Sequence, residues 1–228
     1  MKSLKHPLVV IGLILGMATL IGAVVENANT PLFGTVDFSK ALNDCKAGKA
    51  AVEEMDTMSK YYAETVDTIN GNPFLNSDEF SNIRKVLIPS STADGKLPTV
   101  KNPTPEGKAT IKALLDKAVE RQKRFTELYQ KADATDVEKA EQRDLNKMMG
   151  TTRDNLQQLG PDLRSILQDK QAKSTKEIVD QIKVIVSQMA KTGNCSMVFV
   201  AEVAPYSSND YTQAVLTEMN KKYDETHK

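Results

Sequence analysis

Residues 135–192 read TDVEKAEQRDLNKMMGTTRDNLQQLGPDLRSILQDKQAKSTKEIVDQIKVIVSQMAKT. Within them Leu145, Met149, Thr152, Leu156, Leu159, Leu163 and Ile166 recur in alternating steps of four and three, the spacing that keeps one seam along a long helix. The seam resumes at Ile178, Ile182, Ile185 and Met189, with the offset that a stutter leaves. Gly160 and Pro161 fall inside the pattern. Because the periodicity continues across them, they predict a kink rather than an end. Thr135 with Glu138 three residues on makes a capping box at the start, and Thr192, Gly193 and Asn194 close the helix.

Working outward, Ser39 reads as a helix N-cap. Leu42, Cys45, Val52, Met55, Tyr62, Val66 and Ile69 describe an amphipathic helix from there to about residue 70, which Gly71, Asn72 and Pro73 stop. A third pattern starts near Thr110, with Ile111, Leu114, Leu115, Ala118, Phe125, Leu128 and Tyr129 on one side. It breaks at Ala132, Asp133 and Ala134. At about 1.5 Å of rise per residue, 39–70 and 109–132 together span roughly 84 Å and 135–192 roughly 87 Å. The near match predicts a helical hairpin over 39–192 with its tip at 132–134. An excursion at 71–107 interrupts its outgoing limb. That excursion holds a short helix near 77–86 and a linker marked by Pro89, Pro98, Pro103 and Pro105, polar enough to be expected mobile.

Two short runs, 32–38 (LFGTVDF) and 197–203 (MVFVAEV), read as strands. A turn at Pro205, Tyr206 and Ser207 follows the second, then a helix over about 210–223 that buries Val215, Leu216 and Met219. Asp210 and Thr212 read as its capping residues. The expected fold is therefore mainly α with a small β body. The body is built from 31–38 and 193–228, and a long, coiled-coil-like helical hairpin arm is rooted in it.

The N-terminus carries Lys2, Lys5 and His6 before an uncharged apolar run over 8–25, the grammar of an export signal. At about 18 residues the run lies between a signal core and a membrane span. Residues 1–25 are thus a signal peptide or a membrane anchor, with Ala23 as a fair cleavage position. Past it, six Phe and six Tyr with no Trp suit long exposed helices better than a large compact core. Thirty basic and thirty acidic residues balance, so no nucleic-acid footprint is expected. The two histidines, His6 and His227, sit at the extremes of the chain. No Ser-His or Cys-His catalytic pair and no multi-histidine metal site can be assembled in the folded part, and no glycine-rich phosphate loop is present. No catalytic, cofactor-binding or metal-ligating residue is assigned, and no cofactor is expected.

The order strand, helical hairpin, strand, short helix resembles the Skp/OmpH family of periplasmic chaperones. GTVDFSKAL at the front and VFVAEVAPYSSNDYTQAVLTEMN at the back carry the resemblance. It implies a homotrimer whose strands and short helices form a trimerisation body, with arms that hold unfolded outer-membrane or exported proteins without ATP. It also implies a periplasmic location, with contact to the inner membrane if the apolar N-terminal segment is retained. The chain departs from the family in its neutral charge, where a basic balance is expected, and in Val200, where an acidic residue commonly ends the second strand. The alternative is a membrane-anchored structural or adaptor coiled coil without chaperone activity.

Met55, Met58, Met148 and Met149 are candidate client-contacting residues, since the flexible thioether adapts to varied apolar partners; filling the helix seam is the plainer role. Arg121, Lys123 and Arg124 could attract acidic groups, or simply form a solvated face with Glu120 and Glu127. Cys45 and Cys195 both fall at the root of the hairpin. They are either a disulfide closing the arm or two buried thiols.

Overall fold

A computed structural model of the chain describes residues 21–22, 32–88, 103–193, 195–204 and 209–227. Most of the leader or anchor, the linker after the short helix, and the turn at Pro205, Tyr206 and Ser207 lie outside the described residues. The elements run β1 (Ile21–Gly22), β2 (Leu32–Val36), α1 (Phe38–Asp44), α2 (Lys46–Gly71), α3 (Ser77–Leu87), α4 (Pro105–Gln130), α5 (Asp136–Thr192), β3 (Cys195–Val200) and α6 (Thr212–Thr226). The fold is mainly helical with a small β body. Two compact units share the chain, one made of Met1–Lys49 and Thr175–Lys228, the other of Ala50–Ser174. The chain passes between them within α2 and within α5.

In the first unit β3 is the central strand, antiparallel to β1 and parallel to β2. A parallel pair cannot be joined by a tight turn; here the whole helical stretch from α1 to α5 is the crossover. Residues 209–211 cover the outer side of β2, where the Thr35 N–H donates to the Asn209 carbonyl (2.8 Å) and the Tyr211 N–H to the Thr35 carbonyl (2.8 Å). Asp210 accepts from both the backbone N–H (2.8 Å) and the hydroxyl (2.5 Å) of Thr212. The Thr212 hydroxyl in turn accepts from the Asp37 N–H at 2.9 Å. The expected capping role is corrected: Tyr211 is the N-cap of α6 and makes no side-chain cap bond, while Asp210 and Thr212 instead tie the start of α6 to the start of α1.

The helix expected over 39–70 is two helices. Asp37, not Ser39, caps α1, accepting from the Lys40 N–H at 2.7 Å. Cys45 is extended (φ −69°, ψ 152°) and separates α1 from α2. Its Sγ accepts from the Gly48 N–H at 3.2 Å and so serves as the cap of α2. A β-carbon at Gly48 would lie 1.8 Å from the Leu42 carbonyl oxygen, so only glycine permits the close approach at this break. From the other side Asn220 accepts from the Lys46 N–H (2.8 Å), and the Lys46 ammonium pairs with Asp224 at 2.6 Å.

The second unit has its core where the seams predict it, around Tyr62, Ile69, Ile111, Ala118, Leu159 and Leu163. Two assignments change. Val52 is 61 % exposed and Met55 only half-buried, while Met58 and Thr65 are buried in the seam of α2 beside Val66, which packs against the core as expected. Thr65 tolerates that place because its hydroxyl donates to the Tyr61 carbonyl at 2.8 Å. Tyr129, expected on the apolar side of α4, is 73 % exposed at its end, one residue past the buried Leu128.

The excursion is the larger correction. Its first half is packed, not loose: Phe74, Leu75, Phe80, Ile83 and Leu87 are all buried, and each full burial contributes about 2 kcal/mol. Asn76 caps α3 in a complete capping box with Glu79. Thr152, a polar step in the α5 seam, is fully buried; its hydroxyl donates to the Leu75 carbonyl (2.8 Å) and accepts from the Leu75 N–H (3.1 Å). Tyr62 donates to the Leu87 carbonyl at 3.2 Å, and its burial pushes the phenol up to about 12.

Helix α5 runs unbroken through Gly160 and Pro161, as the periodicity requires. The hairpin tip also stands where it was expected. Thr135 and Glu138 close their capping box, and Lys131 pairs with Glu138 across the turn at 2.6 Å.

Candidate client-binding surface

The methionines divide by position on their helices. Met58 is fully buried within the core of the second unit, which is the seam-filling role. Met55 is half-buried on α2. Met148 and Met149 pack against the cluster of Phe74, Leu128 and Leu145, with part of each side chain still accessible. Beside that cluster Phe74 and Phe125 meet at 5.2 Å between ring centroids, and Phe125 meets Tyr129 at 6.2 Å. Tyr129 and Val137 (78 % exposed) flank the tip turn. Near its tip the hairpin thus keeps accessible apolar side chains: Tyr129, Met148 and Met149 around the Phe74 cluster, and Val137 beside the turn. Sequence reasoning missed Val137. The residue lies off the heptad seam, and an isolated valine next to a capping box carries no periodic signal.

Two of the three basic residues are committed to the fold. Arg121 donates to both carboxylate oxygens of Glu79 (2.5 and 2.9 Å) and to the Phe74 carbonyl (2.9 Å). Burial works against ionisation of Glu79, but the Arg121 side chain, the Asn76 backbone and the Arg121 charge outweigh it and hold the carboxyl below its ordinary value. Arg124 forms a bidentate pair with Glu141 at 2.9 and 2.8 Å, which raises its own pKa and lowers that of Glu141. Lys123 is exposed. The expected solvated basic face is therefore mostly a set of ion pairs between helices.

Cys45 and Cys195 are both buried and unbridged in this structure. The Cys195 thiol lies 3.2 Å from the Leu32 carbonyl and 3.0 Å from that of Met197, and the Cys45 thiol 3.4 Å from that of Leu42. In the first unit Leu32, Phe33, Met197 and Val203 are exposed, and Phe33 stands in register with Met197 across the β2–β3 pair. Two grooves of about 390 Å³ open beside the C-terminal part of α5, shallow and solvent-facing. Among the described residues no group of His, Cys, Asp and Glu gathers to hold a metal ion, and no helix is long and apolar enough to cross a membrane.

These features define a class: a mainly helical protein with a small β body and a helical hairpin with accessible apolar side chains near its tip. The chain belongs to the OmpH-like outer membrane protein family, whose model matches residues 97–219, from ahead of α4 to within α6. That family is associated with chaperone function in the periplasm. Neither a curated protein nor a solved structure matches the chain.

Proposed function

We propose that this protein is an ATP-independent holdase that binds unfolded exported or outer-membrane proteins in the periplasm, as a homotrimer, and does no chemistry on them. The observation that carries the reading is the family match over α4, the hairpin tip, the returning limb α5, β3 and the first part of α6. The accessible apolar side chains near the tip support it. A holdase must bind many sequences weakly, and accessible methionine and tyrosine side chains on a rigid helix pair suit that task. The body's exposed Leu32, Phe33, Met197 and Val203 support self-association.

Suppression of aggregation tests the reading. Addition of the mature protein to a β-barrel membrane protein diluted out of denaturant is expected to keep the client soluble without nucleotide. A membrane-anchored spacer would leave its aggregation unchanged. The Tyr129→Ser/Met148→Ser/Met149→Ser variant should retain its helical content and hold the client several-fold less well.

A further inference from the structure

The sheet of the first unit includes a strand drawn from the apolar N-terminal run. Ile21 and Gly22 pair antiparallel with β3, Ile21 opposite Val198 and Gly22 opposite Met197, on the edge that β2 leaves open. Without them the sheet would fall to two strands and β3 would present a row of unpaired N–H and C=O groups. A leader cut after Ala23 would take this strand away.

The sequence offers an earlier position. Gly16 and Ala18 stand two apart, small at both places where a signal peptidase prefers small residues, whereas Ala23 has Ile21 at the upstream place. With the cut after Ala18 the apolar core is 8–15, about 8 residues, inside the roughly 7–15 of a cleaved leader and far below the roughly 20 of a membrane helix. Pairing on β3 argues against a cut after Ala23, and the small-residue spacing places the earlier cut after Ala18. We propose that the leader is removed between Ala18 and Thr19, so that the mature protein begins TLIGAVV and keeps β1 as the outer strand of its body. The proposal stands apart from the chaperone reading, since it concerns export and the sheet alone.

The full chain, expressed in a Gram-negative host and recovered from the periplasm, is read by intact mass and N-terminal sequencing. The expected first residue is Thr19. A protein beginning at Val24, at any other residue, or at Met1 overturns the proposal. Ala18→Leu should accumulate as precursor, and Ala23→Leu should be processed as the wild type is; the reverse pattern overturns it. A chain produced from Val24 should melt several degrees below one produced from Thr19. Equal midpoints would show that β1 contributes nothing to the body and would overturn the structural half of the argument.

Discussion

Arg121 holds α4 against two parts of the excursion at once, the Phe74 carbonyl and the Glu79 carboxylate. The Glu79 side chain is 10 % exposed and that of Arg121 27 %, so removal of the cation would strand a carboxylate in a nearly closed site. Arg121→Leu is expected to cost about 2–3 kcal/mol, below the range for a fully buried pair because water still reaches the guanidinium. Chemical denaturation would measure it. The same pair sets a pH dependence. Folding depresses the Glu79 pKa from its ordinary 4.5. Its contribution is therefore complete above about pH 5 and is lost as pH falls through the lower folded-state value. A stability profile from pH 7 to pH 3 should fall more steeply in wild type than in Glu79→Gln. At the two cysteines, burial predicts that neither thiol reacts in the native protein and that both react after unfolding without reductant. No reactive thiol after unfolding would establish the Cys45–Cys195 bridge instead.

Among the elements, α5 was legible from its seam, α4 and the tip from a break flanked by a capping box, and the two strands from short β-branched runs, although they end earlier than expected, at Val36 and Val200, and 201–203 form a turn. The cost of misreading fell on 71–107. Proline and serine at 89–102 drew attention away from Phe74, Leu75, Phe80, Ile83 and Leu87, five apolar residues whose spacing is too short for a long-helix signal. The break at Cys45 was also hidden, because its cap is a sulfur atom and its necessity lies in the contact between Gly48 and the Leu42 carbonyl, which no pattern of residue types displays. A testable consequence separates the halves of the excursion. The polar, proline-rich composition of 89–102 predicts the first cuts of limited proteolysis there, whereas 73–88 should resist, since Thr152, Tyr62 and Arg121 all bind its backbone. Early cleavage within α3 would contradict the packing described for Leu75, Ile83 and Leu87.

For the whole molecule, thirty basic and thirty acidic residues leave no net charge to drive or oppose association, so the proposed homotrimer is expected to rest largely on apolar surface. That surface is present on the body: Phe33 (45 % exposed) and Met197 (39 %) stand opposite each other across β2 and β3, with Leu32 (47 %) and Val203 (62 %) also exposed. The Phe33 and Phe199 rings lie 5.9 Å apart, which makes the patch aromatic at its centre. Aromatic and methionine side chains are enriched where stable interfaces form, and residues 209–211 already cover the outer side of β2. Contact between copies is therefore expected through side chains more than through strand addition. The mature protein should sediment at three times its protomer mass at micromolar concentration, with little change between low and high salt, because apolar burial is not screened. Phe33→Asp places a charge where the next copy would desolvate it, at a cost of several kcal/mol, and should yield a folded monomer with unchanged helical content. A wild-type monomer under the same conditions would remove the trimer, and a Phe33→Asp trimer would move the interface away from this face of the sheet.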